Sequence, residues 1–127
     1  MRLRLLTVSF ALVATAATAA FAASGLKTTM KSWKLDGTAA ADMVAGRAAF
    51  NEAELRRILQ TFVKDSQGFE ARIKPSNAEA TDLKTRFAKF EADSTAALAV
   101  AGQASQAKGR IATVLNNCKS CHDVHAN

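Results

Sequence analysis

Two cysteines and the histidine that follows them are the residues whose spacing most clearly predicts chemistry. They occur as Cys118-Lys119-Ser120-Cys121-His122, a C-x-x-C-H pattern that is typical of covalent haem c attachment. Thiols three residues apart lie on adjacent faces of one helical turn, where each can form a thioether with one of the two haem vinyl groups. The histidine then projects over the same haem face. The pattern predicts one covalent haem c, with His122 as the proximal ligand of its iron.

Three other uses of these side chains agree less well with the sequence. A redox-active dithiol is expected beside a βαβ unit, and no such pattern occurs here. A structural disulfide needs thiols held in a geometry that a helical C-x-x-C supplies poorly. Zinc needs four ligands around it, whereas Cys118, Cys121, His122 and His125 follow one another along one helix and cannot surround a metal tetrahedrally.

The beginning of the chain has the pattern of a secretory signal peptide. Arg2 and Arg4 precede an apolar run over residues 5–20, and a small-x-small cleavage site ends at Ala22. A membrane anchor is the alternative, but the run is at or below the ~18 residues that are needed to span a bilayer. We therefore predict that residues 1–22 are cleaved and that no stable membrane insertion follows.

The remaining residues, 23–127, are enough for one domain. Export agrees with the haem prediction, because haem c is attached outside the cytoplasm, in bacteria in the periplasm; we predict a periplasmic protein. The formal net charge is +6, with the 17 basic residues dispersed among 11 acids. Without a run of like charge, this is no nucleic-acid-binding surface.

Two amphipathic stretches occupy the first half of this domain. The first has apolar residues at steps of three and four from about Leu26 to Val44, and Gly46 is a reasonable stop. Asp36-Gly37 weakens it in the middle. Asn51 is a good N-cap for the second stretch, which Gln67-Gly68 ends or disturbs.

Two further stretches follow the break at Lys74-Pro75. Ser76 or Asn77 caps the third, and Gly102 begins the connection to the fourth, which carries the C-x-x-C-H pattern. Four helices with short connections predict an all-α, up-down-up-down four-helix bundle with the haem near the C-terminal end of the fourth helix.

This topology selects a second iron ligand. The end of the fourth helix lies beside the start of the first, where Met30 is on the apolar face. Met43 is ~20 Å further along the helix, and Met1 leaves with the signal peptide. His125 is one turn beyond His122 on the same helix and cannot reach the distal face, so it is expected at the surface or the haem edge. We predict that Met30 is the distal ligand of the iron. The alternative is that Met30 is only a residue of the hydrophobic core.

The C-terminal C-x-x-C-H of an exported four-helix chain resembles the cytochrome c prime family, the class II c-type cytochromes, over residues 23–127. Residues 45–51, AGRAAFN, are similar to the family's Lys-Gly-x-x-Pro-Tyr-Asp connection. Counting back sixteen residues from Gly46 reaches Met30, at a position that faces the distal haem side in the family. Members with methionine there include low-spin, six-coordinate electron carriers, and members with leucine or another residue are commonly five-coordinate and bind nitric oxide or carbon monoxide.

The sequence departs from the family pattern in three places. An aromatic and a basic residue usually follow the haem histidine, where this chain has His125 and Ala126. The tryptophan often found in the third helix is missing, with Leu83 near that place. The chain is also short between its second and third helices and before its last one. The dimer contacts of the family therefore cannot be assumed for this chain, and a homodimer is one of its options.

These patterns favour an electron carrier over an enzyme, since no distal acid–base pair accompanies Met30. The alternative function is a five-coordinate protein that binds nitric oxide or carbon monoxide. Redox proteins of unknown identity are the expected partners. Lys27, Lys31 and Lys119 are candidates for a rim that meets an acidic partner or the haem propionates, although lysines of this kind are often only solvated.

Overall fold

The structure, a computed structural model, describes residues 14–125 of the chain and the side chains of residues 25–125. Four helices make up this part: α1 (Ala14–Ala45), α2 (Glu52–Arg72), α3 (Ala78–Ala99) and α4 (Ala104–His125). Residues 1–13 of the predicted signal peptide lie outside the described residues, and its cleavage stays a prediction. None of the helices within 14–125 is long and apolar enough to cross a bilayer.

The helices form a four-membered ring in which each packs against its neighbours in the chain, and α1 closes the ring against α4. The prediction of an all-α four-helix bundle is confirmed. The part of α4 from Leu115 to His122 shares a cavity with the middle of α1, from Lys27 to Ala41. Met30 belongs to that part of α1, although α1 begins at Ala14 rather than near Leu26.

Local signals set the helix boundaries. The side chain of Asn51 accepts a hydrogen bond from Glu54 N at 3.0 Å, and that of Asn77 accepts one from Ala80 N at 2.8 Å. Gly46 ends α1 with φ of 75°, a left-handed conformation that glycine adopts without a steric penalty. Both N-caps and the glycine stop were predicted, with Asn77 rather than Ser76 as the cap.

Two expected interruptions are absent from the described helices. α1 continues through Asp36-Gly37, and α2 continues through Gln67-Gly68 to Arg72. Each glycine costs a helix only about 1 kcal/mol, and burial of the residues around it outweighs that cost. Ser66 and Phe69 are buried on either side of Gly68, for example.

An aromatic cluster forms the part of the core on which the candidate site rests. The Trp33 ring stacks on Phe90 with centroids 4.8 Å apart and lies 5.1 Å from Phe62. Phe69 stacks on Phe87 at 5.2 Å. These contacts join α1, α2 and α3, so the aromatic cluster fixes the wall that α1 and α3 present to α4.

Candidate cofactor site

A cavity of ≈ 720 Å³ lies between α1, α3 and α4. Its volume is within the ~300–1,000 Å³ that small-molecule and cofactor sites commonly have. Large apolar side chains form much of its wall: Trp33, Phe87, Phe90 and Leu115. Such a wall suits a large apolar ligand with a few polar attachment points.

α4 contributes the predicted attachment residues to this cavity. Cys118, Cys121 and His122 all line it. The two cysteines are half-buried and His122 is exposed. Since the three residues occupy little more than one helical turn, α4 presents two thiols and an imidazole to the same space.

Met30 lines the same cavity from α1. It is half-buried and packs against the hydrophobic core. Met43, by contrast, is 4% exposed and belongs to the core, away from the cavity lining. The four predicted site residues, Met30, Cys118, Cys121 and His122, thus line one cavity, the first from α1 and the others from α4.

The surroundings of the two cysteine side chains shift their pKa values. Burial raises the pKa of Cys118 to about 11. Burial also raises the pKa of Cys121, although the nearby Arg86 guanidinium acts in the opposite direction. Within residues 14–125, no group of three or more His, Cys, Asp or Glu side chains is placed to hold a metal ion.

Four basic side chains stand along the cavity. Lys27, Lys31 and Lys34 come from one face of α1, and Arg86 comes from α3. Lys119, which was predicted for this rim, lies outside the cavity lining, and its Nζ pairs with Asp123 at 3.0 Å. The basic group is therefore centred on α1 rather than on the attachment turn.

His125 is half-buried rather than on the open surface. Its side chain is only 13% exposed, and its Nε2 lies 2.7 Å from Asp82 Oδ2. The same carboxylate oxygen accepts a hydrogen bond from Arg86 Nε at 2.7 Å. Arg86 and then His125 lower the pKa of Asp82. His125 thus joins the last turn of α4 to the first turns of α3.

Sequence reasoning missed several residues of the cavity. Lys34 carried a signal, because it is three residues after Lys31 and therefore on the same helical face. Trp33 and Phe90 were recognised as members of apolar faces, but amphipathic spacing does not tell which core residues border a cavity. Arg86 carried no signal, since its place depends on how α3 packs beside α4.

Comparisons with known proteins give no match: no family model, no curated protein and no solved structure is significantly similar to this chain. The structure defines the chain as a four-helix bundle with a cavity beside the C-x-x-C-H turn. A more specific assignment depends on the chemistry of those residues.

Proposed function

We propose that this protein is a periplasmic monohaem c-type cytochrome that carries electrons, similar to the methionine-ligated members of the cytochrome c prime family. The observation that supports it most strongly is the shared cavity. Cys118, Cys121 and His122 were selected by one motif and Met30 by the expected helix topology, and all four line it. If Met30 were only a core residue, or if the cysteine pair had an unrelated role, there would be no reason for Met30 and the C-x-x-C-H residues to line the same cavity.

Cys118 and Cys121 are the residues that would hold the haem. Each S–H group would add across one vinyl group of a bound haem to give a thioether, with sulfur bonded to one carbon and the thiol hydrogen on the neighbouring carbon. No atom is lost and no external oxidant is needed. Both cysteine side chains are half-buried and line a cavity with a largely apolar wall, which suits attachment of a large apolar group.

His122 and Met30 are the proposed axial ligands, the first from α4 and the second from α1. When bound, the haem iron supplies a one-electron ferric–ferrous couple, whose potential a His/Met ligand pair raises. The two side chains approach from helices that pack directly against each other. A rigid bundle can therefore hold both ligands in place in either oxidation state.

The aromatic wall of the cavity gives the proposed site its low polarity. Trp33 and Phe90 are buried and stacked on each other. Their rings keep water away from one side of the cavity, which lowers the local dielectric constant and strengthens the effect of each charge nearby. The exposed His122 side, in contrast, leaves a route by which an electron can reach a partner.

The lysines of α1 suggest the kind of partner. Lys27, Lys31 and Lys34 are exposed and line the cavity from one face of α1. Positive charge beside the cavity attracts carboxylates, either of the haem propionates or of an acidic redox protein. We propose an acidic electron-transfer protein as the partner.

The visible spectrum and the mass of the secreted protein test this proposal. The full chain is expressed in a bacterial host with the haem c maturation machinery, and the periplasmic fraction is purified. We expect a red protein with the mass of one covalently added haem and sharp low-spin bands when reduced. A Cys118→Ala/Cys121→Ala variant is the matched control and should lose the covalent haem.

The same experiment distinguishes the alternatives. A colourless product of unmodified mass would refute the cytochrome assignment. A covalent haem with a broad, high-spin spectrum that changes readily with carbon monoxide would refute Met30 ligation and would favour a five-coordinate protein that binds nitric oxide or carbon monoxide.

A further inference from the structure

A network of three side chains stands beside the attachment turn. Asp82 and Arg86 are one turn apart on α3, and His125 reaches them from α4. Asp82 Oδ2 is the shared acceptor, with both donor nitrogens at 2.7 Å. The network therefore holds one carboxylate between a guanidinium and an imidazole.

The two charges of this network lie at different distances from the cavity. Arg86 lines the cavity, whereas Asp82 and His125 do not. The Arg86 side chain is 30% exposed and that of Asp82 is 44% exposed, so the positive end of the pair is the more enclosed one. The pair thus forms a dipole with its positive end toward the cavity.

The field of Arg86 reaches the residues that carry the proposed haem. Arg86 lines the same cavity as Cys118, Cys121 and His122. A positive charge near an iron disfavours the ferric state, because that state carries one more positive charge than the ferrous state. The effect is large in a cavity with an apolar wall and small in open solvent.

We infer that the Asp82–Arg86 pair sets the reduction potential of the iron and that His125 positions Asp82 for this purpose. The inference rests on the proposed function, since it needs a haem in the cavity. It also assigns a physical role to His125, which stands where the family pattern has another residue.

If the pair sets the reduction potential, removing its positive and its negative charge should shift that potential in opposite directions. A merely structural role of the pair would not give shifts of opposite sign. Arg86→Gln leaves the Asp82 carboxylate uncompensated, so we expect the reduction potential of the holoprotein to fall. Asp82→Asn leaves the Arg86 charge uncompensated, so we expect the potential to rise. Arg86→Lys keeps the charge and should stay closer to the parent than Arg86→Gln does.

Arg56 and Glu52 supply the matched control. They form the same type of pair one turn apart, with Arg56 Nη2 2.8 Å from Glu52 Oε1, and neither residue lines the cavity. Arg56→Gln and Glu52→Gln should leave the potential unchanged. In a His125→Phe background, the upward shift caused by Asp82→Asn should become smaller, because the carboxylate is no longer held in place.

The measurement is a spectroelectrochemical titration of each purified holoprotein, with thermal unfolding recorded in parallel. Absence of covalent haem in the parent protein would be a failure of the proposed function. Covalent haem with shifts of the same sign, or with no shift, in Arg86→Gln and Asp82→Asn would overturn the present inference alone. An Asp82→Asn shift that is unchanged in the His125→Phe background would overturn the role of His125.

Discussion

Trp33 Nε1 donates a hydrogen bond to Asp65 Oδ2 at 2.9 Å. This contact joins α1 to α2 behind the cavity, on the side away from the attachment turn. Because Trp33 also stacks on Phe90, the Asp65 carboxylate fixes the orientation of a ring that forms part of the cavity wall. The hydrogen bond between α1 and α2 thereby helps to shape the apolar cavity wall that faces α4.

Loss of the Asp65 acceptor is expected to destabilise the bundle. Asp65→Ala leaves the indole N–H of the buried Trp33 without a partner, which should lower the free energy of unfolding by about 1–3 kcal/mol. Asp65→Asn retains an acceptor oxygen and should lose less. Asp123→Ala, which breaks only an exposed pair with Lys119, is the control and should be near neutral. Urea unfolding of the three variants measures the difference, and equal losses would contradict the role of the hydrogen bond.

The two methionines of α1 should behave differently when changed to leucine. Met30→Leu removes a thioether from the cavity, so we expect the low-spin spectrum of the holoprotein to become high-spin and carbon monoxide to bind more readily. Met43→Leu alters a core residue of similar volume, which should cost less than about 1.5 kcal/mol and leave the spectrum unchanged. Visible absorption with and without carbon monoxide is the measurement. A low-spin spectrum that survives Met30→Leu would exclude Met30 as the ligand.

Glu70 is expected to make the stability of the bundle depend on pH. Its Oε2 is buried without a hydrogen-bond partner, and burial, with the neighbouring Glu91 carboxyl, raises the pKa of Glu70 to about 7 from the ordinary 4.5. Between about pH 4.5 and pH 7, Glu70 therefore keeps its proton in the folded state, whereas it has released that proton in the unfolded state. Stability from this group is fully present below about pH 4.5 and is lost as the pH rises to about 7.

Glu70→Gln tests this dependence, because it fixes the neutral form. We expect the variant to be more stable than the parent at pH 8 and similar to it at pH 5. Glu91→Gln serves as a second variant: it removes the neighbouring carboxylate and should weaken the pH dependence of the parent. Thermal unfolding between pH 5 and pH 8 is the measurement, and a Glu70→Gln curve parallel to that of the parent would contradict the prediction.

Charge reversal on α1 tests the proposed partner surface. Lys27→Glu, Lys31→Glu and Lys34→Glu, combined in one variant, should slow electron transfer to an acidic redox protein several-fold at low ionic strength. The difference should shrink at high salt, since exposed charges are then screened. Lys64→Glu and Lys74→Glu alter exposed lysines outside the cavity lining and are the controls. A rate that is indifferent to both charge and salt would refute the surface.

The sequence predicted the four helices, both N-caps and four of the residues that line the cavity, Met30, Cys118, Cys121 and His122. These predictions were possible because helical periodicity and short connections leave few ways to pack four helices. Once the order around the bundle is known, Met30 and the C-x-x-C-H turn must meet. Haem attachment and iron ligation themselves remain predictions.

The sequence did not predict how the cavity is walled and charged. Arg86 and His125 both form a hydrogen bond with Asp82, and this triangle depends on the register between α3 and α4, which no local pattern encodes. The interruptions expected at Gly37 and Gly68 did not occur for a related reason. Local propensity costs about 1 kcal/mol at a glycine, and packing against neighbouring helices exceeds that amount.

The cavity is walled by α1 on one side and α4 on the other, the first and last helices of the described chain. With sulfur bridges on α4 and an iron–sulfur bond to α1, the polypeptide would become a closed ring that encloses α2 and α3. Closure of so large a ring restricts the unfolded ensemble much as a long-range disulfide does. Detachment of Met30 would open the ring and remove this restriction, while the Trp33 contacts would still hold α1 against α2 and α3.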